Sequence, residues 1–293
     1  MRRLKDYPEN LRPYVFHGLE LDWREGDKQA VADCPWCGRE GKYSINVATG
    51  KSRCWGCKSD GKKGGSNPIL FIRQLWEESD KATKPDSYAL LAKQKGLNPE
   101  SLMRWGVCKS VLDGSWLVPS YGPDSSLCQL GRYVPVRGGK RILLMTPGLS
   151  AGVFGLPFFD PEKSTLYVCE GCWDAIALAD ALATTKQTDD GLKNTANASI
   201  SLLSNANVLG IPGNSYPFDR YAKQYKGKKV WLMFDSDHPK QGKAPAGFDG
   251  ASRLASKMSG ASSVGYLHWG EAGYDPELAD GYDVRDCLQG ENT

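Results

Sequence analysis

At 293 residues the chain exceeds one typical domain, and 40% hydrophobic with 24% charged residues is the mix of a protein that buries a sizeable core. No apolar run approaches the ~20 residues that span a bilayer, and the basic start MRRLKDYPENLRP lacks the apolar segment of a secretory signal, so a cytoplasmic location without a membrane partner is expected. The net charge of +3, from 37 Lys and Arg against 34 Asp and Glu, neither supports nor excludes nucleic acid; its distribution must decide.

The first organised stretch is DCPWCGREGKYSINVATGKSRCWGCKSDGKKGG, Asp33 to Gly65. Two C-x-x-C pairs, Cys34/Cys37 and Cys54/Cys57, are separated by sixteen residues. In a reducing compartment paired cysteines more often bind metal than form disulfides. Two knuckles brought together by a hairpin close a tetrahedral site for one structural zinc ion, with no open position for chemistry. KYSINV and KSRCW read as the two strands and ATG as their turn. Between Arg39 and Lys63 lie seven basic residues (Arg39, Lys42, Lys51, Arg53, Lys58, Lys62, Lys63) and two acidic ones, Glu40 and Asp60. Trp36, Tyr43 and Trp55 are interleaved with them. Aromatic faces among cations suit stacking on unpaired bases with phosphate neutralisation, which nominates Trp36, Arg53 and Trp55 as nucleic-acid contacts; the plainer alternative is that Trp36 and Trp55 fill the ribbon's small core.

GKKGGSNP then reads as a hinge, PILFIRQLWEES as a short amphipathic helix, and DKATKPDS as a linker with a boundary near Lys84. NPESLMRWGV carries a helix start, with Asn98 as N-cap and Pro99 in the first position. The β-rich stretch that follows gathers Arg132, Arg137, Lys140 and Arg141, a basic strand set fit either to hold phosphates or to keep an edge strand soluble. Beyond Ser164 strands and helices alternate: TLYVCE, WDAIALADALA, NVLGIPG, KKVWLMFDSD, GFDGASRLASKM and SVGYLHW. That order predicts a mainly parallel sheet with helices on its faces and a ligand site outside the carboxyl ends of its strands. The polar stretch from Thr184 to Ser199 reads as an exposed insertion.

The segment LYVCEGCWDAIALADAL contains a further C-x-x-C, Cys169/Cys172, around Glu170. No second pair lies nearby in the sequence to complete a zinc site, so the thiols read as core and the carboxylates as the chemistry. Glu170 ends one strand and Asp235 and Asp237 end another; a parallel sheet brings all three to one edge. Carboxylates so grouped suit Mg²⁺, and two such ions would stabilise the attacking and leaving oxygens of a phosphoryl transfer.

VCEGCWDAIALADAL resembles the E-G-x-x-D motif of the TOPRIM domain, and FDSD its D-x-D motif. Ala246–Gly247 and Ala251 resemble the A-G-x-x-A continuation, displaced by an insertion, HPKQGKAP. YDVRDCL is similar to the K-D-x-N-D-x-L ending found in primases, with Arg285 where Asn is usual. The zinc ribbon, and SAGVFGL ahead of the first TOPRIM strand, resemble their counterparts in DnaG-type and bacteriophage primases. The pieces come in primase order and cover Cys34 to Leu288. The resemblance implies an α/β fold: a TOPRIM-type mainly parallel sheet with flanking helices, preceded by a β-rich basic subdomain and a small N-terminal zinc ribbon. The expected divisions are 1–66 for the ribbon, 67–84 for helix and linker, 85–160 for the basic subdomain and 161–293 for TOPRIM.

The resemblance also implies a function, DNA primase: a nucleotidyltransferase joining ribonucleoside triphosphates into short RNA primers on a single-stranded DNA template. Glu170 would act as metal ligand or proton acceptor, and Asp235 and Asp237 would bind Mg²⁺ or Mn²⁺. Asp174, Asp283 and Asp286 would complete the acidic patch around two catalytic ions. Lys140 and Arg132 would meet template or nucleotide phosphates. No P-loop is present in the sequence, so a replicative helicase would be a separately encoded partner, as suits a phage or mobile element. The rival expectations are a non-catalytic single-stranded-DNA-binding module and a TOPRIM nuclease.

Overall fold

The structure, a computed structural model, describes residues 3–59, 65–135, 141–184, 205–240, 243–270 and 273–290. Arg137, Lys140 and most of the polar stretch after Thr184 lie outside the described residues, as do Asp60, Lys62 and Lys63. In chain order the elements are α1 (Arg12–Phe16), β1 (Gln29–Ala32), β2 (Tyr43–Asn46), β3 (Ser52–Cys54), α2 (Trp55–Ser59), β4 (Gly65–Ser66), α3 (Pro68–Ala82), α4 (Ala89–Lys95), α5 (Pro99–Arg104), β5 (Cys108–Lys109), β6 (Trp116–Tyr121), β7 (Leu127–Pro135) and β8 (Arg141–Met145). Then follow β9 (Thr165–Glu170), α6 (Cys172–Thr184), β10 (Ala206–Ile211), α7 (Ala222–Tyr225), β11 (Lys229–Met233), α8 (Ala246–Lys257), β12 (Ser263–Tyr266) and α9 (Val284–Gln289). The fold class is mixed α/β. Among the described residues no helix is long and apolar enough to cross a membrane.

The chain divides into two compact units. The first comprises Met1–Lys84, Gly106–Ser120 and Leu127–Ala151; the second comprises Pro85–Trp105, Tyr121–Ser126 and Gly152–Thr293.

The first unit holds two antiparallel sheets, ordered β1-β2-β3-β4 and β5-β6-β7-β8. The β2–β3 hairpin pairs Tyr43 with Cys54 and Ser44 with Arg53, and β1, which the polar sequence around Gln29 does not announce, adds a strand through Gln29↔Asn46. Tyr14 anchors this hairpin from α1: its hydroxyl donates to the Gly50 carbonyl (2.6 Å) and its ring lies 4.6 Å from that of Phe71 on α3. Asn67 caps α3 by accepting from Leu70 N–H (2.9 Å). The helix then runs to Ala82, three residues into the stretch that polarity alone reads as linker. Its continuation is held by buried Ser79, whose hydroxyl oxygen accepts from Val111 N–H (3.1 Å). Further up the same helix, Trp76 Nε1 donates to the Gly106 carbonyl (2.8 Å).

In the second unit β10, β9, β11 and β12 lie side by side in that order, all parallel. β9 is buried along TLYVC, as befits a central strand with both faces covered. The register aligns Ile211 with Glu170 and Met233 with Cys169, so three strands end at one level. Phe154, in the segment SAGVFGL, forms an antiparallel bridge to Gly210. Cys169 and Cys172 are buried in this core, and burial pushes both thiols upward, which keeps them protonated and unreactive.

Candidate active site and metal centre

At the carboxyl edge of the parallel sheet the chain leaves β9 at Glu170 and turns at once into α6. Gly171 makes this turn at φ 125°, a conformation that side chains rarely adopt. Gly210 on the neighbouring strand leaves room for it, since a Cβ there would strike the Gly171 carbonyl. One helical turn on, Asp174 is 7% exposed and its Oδ1 has no hydrogen-bond partner. Glu170 accepts at Oε1 from Asn214 N–H (3.2 Å), while its Oε2 is buried and unpartnered.

β11 ends at Met233, so Asp235 and Asp237 sit on the turn just beyond it rather than in the strand. This turn is fixed from three sides. Trp269 Nε1 donates to the Phe234 carbonyl (2.7 Å). Buried Ser236 exchanges backbone hydrogen bonds with the 281–282 segment, through Tyr282 O and Gly281 N–H, and accepts from Asp275 N–H at its hydroxyl. Gly247 N–H, at the start of α8, donates to Asp237 Oδ2 (2.8 Å). The HPKQGKAP insertion thus leaves the Ala246–Gly247 pair seated against the D-x-D turn, and Gly247 is small because a Cβ would meet the Asp235 carbonyl.

The Ser236–Tyr282 bridge brings Asp283 and α9 to the same edge. Asp283 and Asp286 form a reciprocal cap: Asp283 Oδ1 accepts from Asp286 N–H (2.9 Å) and Asp286 Oδ2 from Asp283 N–H (3.2 Å). Arg285 Nη2 lies 2.8 Å from Asp283 Oδ2 and 3.6 Å from Asp286 Oδ1.

Electrostatically these side chains form one cluster. Burial, reinforced by Asp237, pushes the Glu170 carboxyl up to about 7. Burial raises Asp235 well above the carboxylate range, with Asp174, Glu170 and Asp283 adding repulsion. Asp174 is raised by burial and by Asp283, and Asp283 by burial, against the pull of Arg285. Hard-oxygen donors that repel one another, two with unpartnered buried oxygens, have the chemistry of a divalent-cation site.

The metal centre of the first unit is of another kind. Cys34 Sγ lies 3.6 Å from Cys57 Sγ and Cys37 Sγ 3.7 Å from Cys54 Sγ, with all four sulfurs within 4.8 Å of one another. A zinc ion with ~2.3 Å bonds sets tetrahedral sulfurs about 3.8 Å apart, so the set fits one structural zinc. Cys57 N–H donates to Cys54 Sγ (3.2 Å) and Arg39 Nη1 to the Gly56 carbonyl (2.8 Å), which shapes the second knuckle.

Comparison with solved structures finds similar chains. The chain is similar to the Aquifex aeolicus primase over its zinc-binding and RNA polymerase domains, with 13% identity, a TM-score of 0.45 and coverage of 99% of this chain and 81% of that one. It is similar also to the primase fragment of the bacteriophage T7 primase-helicase (16% identity, TM-score 0.46, 88% and 93% covered). A third likeness is to the E. coli primase catalytic core (13%, 0.47, 77% and 76%). Its fold is similar to that of DnaG-type primases. No protein-family model matches the sequence, and no curated protein does. The likeness is one of fold; the chemistry is read from the residues.

The nominated nucleic-acid contacts separate in space and in role. Trp55 is 58% exposed, with the Arg53 guanidinium 4.2 Å over its ring. Together with Gln29, Ser44, Asn46 and Lys51 they line a shallow groove of about 500 Å³ on the ribbon. Trp36 is partly buried and packs against Phe71 at 5.8 Å. Arg132 is engaged within the protein, bonded to Asp113, to the Phe16 carbonyl and to Ser115. Arg141 is exposed on β8, 6.0 Å over the Tyr133 ring. Asn214, which holds Glu170 in place, belongs to no motif and is marked in the sequence only by the glycine and proline of IPGN, while Ser236 occupies the unspecified middle position of FDSD.

Proposed function

We propose that the chain is a DNA primase that joins ribonucleotides into primers on single-stranded DNA, with Glu170, Asp235 and Asp237 as the reactive edge and the zinc ribbon as the template clamp. The observation that carries the reading is the convergence of Glu170, Asp174, Asp235 and Asp237 beyond the strand ends, with Glu170 Oε2 and Asp174 Oδ1 buried and unpartnered. Glu170, Asp235 and Asp237 would hold Mg²⁺ or Mn²⁺, which supplies positive charge to the triphosphate and to the developing oxyanions of nucleotidyl transfer. Glu170 would serve either as a ligand of the ion or, where Oε2 stays unligated, as acceptor of the proton of an attacking hydroxyl; in the ion-free site burial and Asp237 push its carboxyl up to about 7. Asn214 holds Glu170 in orientation and Gly247 holds Asp237.

On the ribbon, the Arg53–Trp55 stack and the polar side chains beside it form a surface for bases and phosphates of an unpaired strand. A strand without a paired neighbour requires such a clamp most at initiation, when a template and two nucleotides have to be gathered at once. The reading implies a role in DNA replication, in which the primers would be made beside a replicative helicase.

The test is primer synthesis with labelled ribonucleoside triphosphates on varied single-stranded templates. Short RNA products are expected from the whole chain, and Asp237→Asn should lower their yield by orders of magnitude while leaving zinc content unchanged. Strand cleavage in place of synthesis would make the chain a nuclease. Template binding with neither activity would make it a binding module.

A further inference from the structure

Arg285 stands where the primase ending usually has Asn, and its surroundings give the replacement a consequence. Asp283 and Asp286 offer four carboxylate oxygens, and each already has a partner. Two receive the reciprocal backbone N–H bonds at the start of α9, and the other two face Arg285 Nη2, at 2.8 and 3.6 Å. The Arg285 side chain is 19% exposed and that of Asp283 11%, so the pair is largely withdrawn from water. A guanidinium so placed stays cationic, since Asp283, Asp174 and Asp286 outweigh the effect of burial on it. Two buried oxygens of the cluster are left without partners, Glu170 Oε2 and Asp174 Oδ1, and Asp174 is more than nine-tenths buried with its carboxyl beside that of Asp283.

We propose that Arg285 takes the place of one of the two cations the acidic cluster would otherwise require, so that the chain binds a single divalent ion, at the Glu170–Asp235–Asp237 side, and none at Asp283–Asp286. The proposal rests on the metal-site reading above and narrows its two ions to one. A fixed guanidinium neutralises the carboxylates at the α9 end permanently, whereas an ion there would come and go with concentration. It also presents donors rather than exchangeable waters, so that end of the cluster can hold an anionic oxygen in place but cannot activate a water.

The experiment is a Mn²⁺ titration of the whole zinc-loaded chain, with free Mn²⁺ followed by electron paramagnetic resonance. The wild-type chain should bind one equivalent, lost in Asp237→Asn. Arg285→Asn frees Asp283 Oδ2 and Asp286 Oδ1 and should bind a second, while Arg285→Lys, which keeps the charge, should bind one. Asp286→Asn in the wild-type background should leave Mn²⁺ affinity unchanged; a loss of about tenfold would mark Asp286 as a ligand and overturn the proposal even if Arg285→Asn does not fold. Two equivalents in the wild-type chain, or one in a folded Arg285→Asn variant, would also overturn it while leaving the primase reading intact. No binding by the wild-type chain would overturn both.

Discussion

Glu170→Gln isolates the electrostatic tension of the acidic edge. In the metal-free protein, burial and Asp237 push the Glu170 carboxyl from an ordinary 4.5 to about 7. That separation corresponds to about 3 kcal/mol between its charged and neutral forms. A carboxyl raised in the folded state binds its proton more tightly there than in the unfolded chain. Its ionisation therefore costs nothing below 4.5, costs progressively more as pH rises from 4.5 to about 7, and reaches the full amount above that. Glutamine keeps the acceptor for Asn214 N–H and has no charge to lose. Urea unfolding of magnesium-free, zinc-loaded protein should find the variant close to wild type at about pH 4 and more stable by up to about 3 kcal/mol at about pH 8. Saturating Mg²⁺ should reverse the order at the higher pH, because only the carboxylate gains from the ion. A stability difference that does not change with pH, or a variant less stable than wild type at about pH 8 without metal, would refute the reasoning.

The zinc centre gives a second expectation: elemental analysis should find about one zinc per chain, lost in Cys54→Ser and retained in Cys169→Ser, whose thiol is buried in the core of the parallel sheet. On the ribbon face, Trp55→Ala should weaken binding of single-stranded DNA by ~1–3 kcal/mol if a base stacks there, whereas Trp36→Ala should act mainly on stability through lost packing on Phe71, and fluorescence titration against melting separates the two. Arg53→Ala combined with Trp55→Ala should abolish initiation at defined template positions, read by product mapping; equal initiation by the double variant would make the ribbon a structural appendage.

The zinc site and the parallel sheet were legible in the sequence because each is written in local spacing. A C-x-x-C is a knuckle whatever surrounds it, and alternation of apolar strands with helices leaves few topologies. The fate of single charged and aromatic residues was not legible. Trp36 and Trp55 each neighbour a zinc cysteine and look alike in sequence, yet one is covered by Phe71, thirty-five positions away, and the other faces solvent. Arg132 reads as a free cation until the fold brings Asp113 and the Phe16 carbonyl to it. Arg285 was visible as a departure from the primase ending, but its meaning depends on which oxygens of Asp283 and Asp286 the backbone has already taken. Local patterns report elements; partners far along the chain decide what a side chain is free to do.

The insertion after Asp237 has a consequence for how this chain tolerates change. Its beginning is held by His238 N–H on Asp280 Oδ1 (2.8 Å), and its far end by Gly247 N–H on Asp237 itself. Both anchors are set by the carboxylates, not by the length of chain between them. For a flexible loop closed between fixed ends, doubling the length costs only ~0.6 kcal/mol. Lys240 also pairs with Asp280 (3.4 Å) and the Pro245 carbonyl accepts from Asp249 N–H (2.9 Å), so exposed Ala244 is the natural graft point. A peptide reporter or recognition tag inserted there should ride a few residues from the acidic edge without displacing it, turning the extra length of this turn into a handle for observing the cluster.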